Sequence, residues 1–199
     1  MTAEGAPVEA TQTLEVKQPT HFEIRRYVPV DHEQVTKLFA DGMMMYTEES
    51  HPHYEVWVNY VTNSLATDLS DIPSTYLIEG CEFFIVEATG PSSASSPTDG
   101  AETKVIVGTI GIQKRSETVA ELRRVSVKAE YRRFGIGRML MVHATKWAQG
   151  HGYSKLILST AASQYLAIKF YEKLGYKFTR TSVMVHDPHF ELAHFEKDI

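Results

Sequence analysis

Cysteine is almost absent from this chain. Cys81 stands alone among 199 residues, so no internal disulfide can form. A reducing compartment suits such a chain, and a cytoplasmic setting is the expectation. Long hydrophobic runs are missing as well. No stretch reaches the length a bilayer-spanning helix needs, and residues 1–20 contain no apolar core of a secretory signal. Positive charge is not in excess: 20 Lys and Arg stand against 25 Asp and Glu, a formal net charge of -5. That balance speaks against nucleic acid as a partner, because the basic residues between Arg123 and Arg138 form a local patch and not a global field. Neither a nucleic-acid nor a membrane partner is expected, and nothing in the sequence speaks to oligomeric state.

What is present is ordinary for a globular protein, 43% hydrophobic and 23% charged, and the length supports one sizeable core. Residues 1–19 are small and polar, and a disordered tail is expected there. Phe22 to Val28 reads as a first strand, ended by Pro29. Asp31 followed by Gln34 reads as a helix N-cap and capping box, opening a helix through about Met45 with Val35, Leu38, Phe39, Gly42 and Met43 on one face. After His51-Pro52-His53, a second helix is expected over about Tyr54 to Asp68, with Trp57, Val61 and Leu65 on one stripe. Glu82 to Ala88 and Lys104 to Gln113 read as an antiparallel strand pair. The Ser-, Pro- and Gly-rich stretch 90–103 between them reads as a mobile hairpin loop.

The next strand, Val119 to Lys128, is unusual. Its apolar positions switch parity, from even at Leu122 to odd at Val125 and Val127, and a β-bulge near Arg123-Arg124 would reconcile them. A basic turn and Gly135-Ile136-Gly137 follow. A helix then carries Leu140, Ala144, Trp147 and Ala148 on one side, ended by Gly150 and Gly152. Ser154 to Thr160 reads as a buried strand and Gln164 to Leu174 as a helix stopped by Gly175. Tyr176 to Arg180 and Thr181 to Val185 read as closing strands. The order is α/β, a mixed central sheet with helices on both faces.

Strand, glycine loop and helix start together suit an anionic phosphate. The first amides of a helix lack intrahelical acceptors and point outward, with the positive end of the helix dipole behind them. Two familiar phosphate motifs do not fit. A Walker A loop needs Gly-Lys-Ser/Thr, and Gly137 is followed by Arg138-Met139. A dinucleotide fingerprint needs Gly or Ala where Leu140 stands. What does fit is Arg132-x-x-Gly135-x-Gly137, which resembles the pyrophosphate-binding signature of the GNAT acyltransferase superfamily. Ala167 to Tyr176, AIKFYEKLGY, is similar to a second segment of that superfamily, and the element order agrees over roughly residues 22–185. The runs Ile24-Arg25, Asp68 to Ile72 before Tyr76-Leu77, and Leu122 to Val127 look like the camello-like branch, which includes cysteine-conjugate and aspartate N-acetyltransferases. Members of that branch usually carry a hydrophobic membrane segment between their first two helices. Here Thr47 to Tyr54, TEESHPHY, is polar, so membrane attachment does not carry over.

The resemblance implies a GNAT-type fold (a tail over 1–19, the domain over 20–185, a C-terminal segment over 186–199), acetyl-CoA as co-substrate, an amine acceptor and no metal. Coenzyme A would be held by Val125, Ser126 and Val127 on the strand and by Arg132, Arg133, Phe134, Gly135, Ile136, Gly137 and Arg138 on the loop. Gln164 stands where the family often has Asn. The strand carrying Val125 to Val127 would splay from Ser154–Thr160 to admit the pantetheine arm, with an edge N–H near Val127 facing the developing oxyanion. A protonated amine is no nucleophile, so a base is required. Glu121 is the candidate, and the alternative is a surface carboxylate paired with a neighbouring arginine. Tyr171 is the candidate acid for the departing thiolate, and the alternative is core packing. His186, His189 and His194 read as a solvated C-terminal segment in preference to a metal site. The expected activity is acetyl transfer to a primary amine of a small, amino-acid-like acceptor. The alternatives are a protein lysine or N-terminal acetyltransferase, and a non-catalytic acyl-CoA-binding module on the same scaffold.

Overall fold

The chain forms one seven-stranded mixed sheet, with strand order β1-β2-β3-β4-β5-β7-β6. The computed structural model describes residues 21–91 and 102–199. The tail expected over 1–19 and most of the loop expected over 90–103 lie outside the described residues. The strands are β1 (His21–Arg26), β2 (Glu82–Pro91), β3 (Glu102–Lys114), β4 (Val119–Val127), β5 (Lys155–Ala161), β6 (Lys177–Val185) and β7 (Phe190–Asp198). The helices are α1 (His32–Met44), α2 (Tyr54–Ala66), α3 (Ile72–Tyr76), α4 (Ile136–Gly150) and α5 (Tyr165–Lys173). Among the described strands only β4 and β5 pair in parallel, and every other neighbouring pair is antiparallel.

Helices cover both faces, which is why β2 reads as a continuous apolar run. Phe83 and Ile85 point into one core with Val35, Leu38 and Phe39 of α1, Val61 of α2 and Ile72 of α3. Phe84 and Val86 point into the other, with Leu140 and Met141 of α4 and Tyr171 of α5. In α4 the stripe Ile136, Leu140, Ala144, Ala148 repeats every four residues and is fully buried. Each large aliphatic side chain there contributes about 1.5–3 kcal/mol by leaving water.

Two expectations fail for local reasons. Asp31 does not cap α1. Its carboxylate turns back to accept from the Val28 N–H at 2.9 Å and from the Arg25 guanidinium at 2.7 and 2.8 Å, so a 3-10 turn, Pro29–Asp31, precedes the helix. Gln34 completes no capping box either. Its side-chain oxygen accepts from the Ile106 N–H at 3.1 Å, beside an irregularity in the β2–β3 register. The C-terminal end differs more. The two closing strands expected over 176–185 are one strand, β6, and residues 190–198, read as a solvated segment, form β7, which inserts between β5 and β6. Phe190, Ala193 and Phe195 are buried there.

The β3 backbone also sets a tight limit. A Cβ at Gly111 would stand 2.7 Å from the Tyr76 ring and 3.2 Å from Phe83, both rings fully buried. Gly111→Ala is therefore expected to destabilise the protein by about 1–3 kcal/mol, the scale of overpacking. The measurement is the urea midpoint at constant m-value. An unchanged midpoint would show that the two rings give way at no cost.

Candidate active site

The expected bulge is present, and it sorts the side chains of β4. Thr109 pairs with Ser126 and Gly111 with Arg123, so Arg124 and Val125 together oppose Ile110. Arg124 takes the left-handed conformation, φ 55°, which a non-glycine residue holds only when its surroundings impose it. Ala120, Leu122, Val125 and Val127 consequently all pack towards α4, although their numbers change parity. Glu121, Arg123, Arg124 and Ser126 line one cavity with residues of α1 and α2, and Leu122 and Val125 reach the same cavity.

The surroundings that impose the bulge are polar. Arg124 bonds Asp68 (Nε to Oδ2, 2.8 Å), the Tyr60 hydroxyl (2.9 Å) and the Ser64 hydroxyl (2.9 Å), and it lies over the Phe39 ring. Asp68 also accepts from the Tyr76 hydroxyl. Burial opposes the charge on both partners. Even so, the ion pair and its hydrogen bonds hold Asp68 below the ordinary carboxylate range and Arg124 above the ordinary guanidinium range.

Strands β4 and β5 pair only from Val119 to Glu121, against Lys155 to Ile157. Beyond that point β5 runs with β7, while β4 stays on β3. The Lys128 N–H donates to the Val107 carbonyl on β3 at 2.9 Å. Backbone groups alternate along a strand, so the N–H and carbonyl of Val127 face the opening. That carbonyl accepts from Arg132 Nε at 3.2 Å.

A cavity of about 350 Å³ opens at this splay. Five of the residues singled out from the sequence line it: Glu121, Val125, Ser126, Gln164 and Tyr171. The Ser126 hydroxyl is buried and has no hydrogen-bond partner among the described residues. The Gln164 side-chain oxygen accepts from the Thr160 hydroxyl at 2.7 Å, at the start of α5. Tyr171 is buried, which raises its phenol above the ordinary value, and no described group hydrogen-bonds its hydroxyl. Glu121 is paired with an arginine, as the alternative reading expected, and it also borders the cavity. Its Oε2 accepts two hydrogen bonds from the Arg115 guanidinium, leaving Oε1 for another partner.

The glycine loop lies outside that cavity lining, at the start of α4. Gly135 has φ 77°, and a Cβ there would meet nothing within 4 Å, so the approach to the first amides of α4 is open. No side chain caps this helix. Gly137 has a different reason to lack a side chain: its Cβ would sit 3.2 Å from Phe170 of α5. Ile136 is fully buried, so it offers only its backbone. Phe134 packs on Phe22 and Tyr131. Arg132 turns towards the end of α1, over the Tyr46 ring, while Arg133 and Arg138 are exposed.

Sequence reasoning missed Arg115 and the Asp68–Arg124 pair. Tyr60, Ser64 and Asp68 are spaced every four residues, which puts three polar groups on one side of α2 and the turn after it, but that spacing does not name Arg124 as their partner. Sequence reasoning also missed Leu192 of β7, which walls the cavity beside Phe190.

Residues 44–176 match the acetyltransferase (GNAT) family. Human N-acetyltransferase 8 is 32% identical over 147 residues, 67% of this chain and 59% of that protein. N-acetylaspartate synthetase of Xenopus tropicalis is 31% identical over 142 residues, 70% of this chain and 45% of that protein. The chain thus matches about half the length of these relatives. Among solved structures, an acetyltransferase from Streptococcus agalactiae superposes with a TM-score of 0.66 at 18% identity, over 90% of this chain and 99% of that one. The PaiA N-acetyltransferase of Thermoplasma acidophilum, solved in complex with coenzyme A, superposes with a TM-score of 0.62 at 19% identity, over 90% of this chain and all of that one. These two likenesses concern the fold. No helix among the described residues is long and apolar enough to cross a membrane. On the matched sequence, the splayed strands and the shared architecture, this chain belongs to the acetyltransferase (GNAT) family.

Proposed function

We propose that this protein is an acetyl-CoA-dependent N-acetyltransferase acting on a primary amine of a small, amino-acid-like acceptor by direct attack in a ternary complex. One observation carries the reading. The gap between β4 and β5 exposes an unpaired strand edge and an unpartnered buried hydroxyl, Ser126, on the same β4 that leads into the uncapped start of α4.

The residues fit coenzyme A. The open amides at Gly135 to Arg138 suit a pyrophosphate, with Arg133 and Arg138 as counter-charge. The free edge of Val125 to Val127 suits the amides of the pantetheine arm, as an added strand would. The names of the relatives and the coenzyme A complex of one structural neighbour point the same way. When bound, acetyl-CoA supplies an electrophilic thioester carbonyl and a thiol leaving group. The Val127 N–H and the Ser126 hydroxyl would serve as donors to charge developing on that carbonyl oxygen. Glu121 takes the proton that an ammonium must lose, directly or through water. The need is real because a lysine-like amine has a pKa of about 10.4. Tyr171, kept neutral by burial, donates its proton to the departing sulfur. The apolar walls Trp57, Phe39 and Phe190 suit a compact acceptor better than an extended basic peptide. The lone cysteine suits a cytoplasmic setting.

The test couples binding to turnover. Calorimetry should detect coenzyme A on the wild type. Gly135→Glu, which places a carboxylate where phosphate belongs, should weaken that affinity by about 10- to 100-fold through like-charge repulsion. Thiol release from acetyl-CoA should depend on added small amines. Unchanged affinity in a folded Gly135→Glu protein would remove the loop from the site. Turnover of lysine peptides with no small amine accepted would overturn the small-acceptor reading.

A further inference from the structure

Three arginines line the cavity, and their partners differ. Arg115 is neutralised by Glu121, and Arg124 by Asp68. Arg123 bonds only a neutral group among the described residues, the Gln113 side-chain oxygen at 3.2 Å. It lies near enough to Asp68 to lower that carboxyl, but the oxygens of Asp68 already serve Arg124 and Tyr76. The Arg123 fork therefore keeps donors for an acceptor that the protein itself does not supply.

Its position is informative. Arg123 lines both the cavity at the splay and a second one, of about 450 Å³, beside α2. The bulge puts it there: Arg123 and Arg124 are consecutive, yet both line these two cavities. The junction is walled by Tyr60, Val56 and Met184, and beyond it the second cavity carries exposed Glu55 and Asp187.

We propose that Arg123 receives the carboxylate of the amine acceptor, and that the acceptors are α-amino acids with one carboxylate and an apolar body. This rests on the transferase reading given above. A guanidinium binds a carboxylate through two parallel N–H···O bonds, which fixes orientation as well as affinity. Holding the carboxylate at the junction leaves the α-amine to project towards Glu121 and the splay. The side chain then lies against Tyr60, Trp57 and Met184. A second carboxylate finds no free cation among the described lining residues, and it would face Glu55 and Asp187. Dicarboxylic amino acids are therefore poor acceptors, and an amine without a carboxylate leaves the guanidinium unpaired.

The experiment measures kcat/KM for L-phenylalanine, L-leucine, L-aspartate and phenethylamine, for wild type, Arg123→Gln and Arg123→Lys. The wild type should prefer phenylalanine to phenethylamine. In Arg123→Gln that ratio should fall by about 10- to 100-fold, the scale of lost charge-assisted hydrogen bonds. Arg123→Lys should recover part of it, because the charge remains without the fork. Coenzyme A titration and urea unfolding check that each variant is folded. Equal use of phenylalanine and phenethylamine by the wild type would overturn the anchor, as would a ratio that does not move in Arg123→Gln. Preference for aspartate would overturn the single-carboxylate class. If no amine is acetylated, the transferase reading falls, and binding decides the anchor alone. Binding of N-acetyl-L-phenylalanine to the wild type that weakens in Arg123→Gln supports it, and no binding to the wild type overturns it.

Discussion

Asp68→Ala is expected to destabilise the protein by about 3–5 kcal/mol, the cost of stranding one member of a buried ion pair. The side chain of Arg124 is 4% exposed and that of Asp68 10%, so water can rescue little of the lost partner. The substitution would also release the Tyr76 hydroxyl and the bulge that Asp68 holds from across the α2 interface. Asp68→Asn should cost less, because an amide oxygen still accepts from the guanidinium. Urea unfolding of the three proteins measures this. A loss below about 1 kcal/mol for the alanine variant would mean that solvent reaches the pair.

The pH dependence follows from the same pair. Burial alone would raise Asp68, but Arg124 and Tyr76 outweigh it, and the folded value lies below the unfolded one. A depressed carboxyl contributes stability that is present in full above its unfolded value, about 3.9, and is lost as pH falls through the folded value. The stability gap between wild type and Asp68→Asn should therefore be constant near neutrality and shrink in acid below about pH 4. A gap that widens in acid would contradict this sign.

The second large effect concerns the chemical step. Glu121→Gln should lower kcat by about 100-fold or more, and it should remove the acidic limb of the pH–rate profile. Tyr171→Phe should slow turnover while leaving coenzyme A affinity nearly unchanged, since the ring remains and only the donor is lost. The Arg115 contact gives this test an edge. If Glu121 only anchors Arg115, Glu121→Gln should behave like Arg115→Met, with modest loss and an unchanged profile. Wild-type kcat across pH in both Glu121→Gln and Tyr171→Phe would refute the assignment.

Much of the fold can be read along the chain, because it depends on local periodicity. Residues 136, 140, 144 and 148 repeat every four positions and bury one face of α4. The parity switch between Leu122 and Val125 required a bulge, and the register has one. The glycine turn at the start of α4 was equally legible, since glycine spacing at a helix start is a local property. β7 was not. Its residues alternate weakly, and only pairing with β5 on one side and β6 on the other makes 190–198 a strand.

Pairing across distance was decided by the tertiary structure alone. Asp68 and Arg124 are 56 residues apart, and Arg25 reaches Glu87 across 62. No local pattern says which of three clustered arginines meets a carboxylate. Composition and spacing by themselves determined a mixed α/β domain with a glycine turn at a helix start and a bulged strand ahead of it. Which charges are neutralised, and so which one is left for a ligand, depended on three-dimensional packing, because Coulomb energy follows distance in space and solvent exclusion and is blind to separation along the chain.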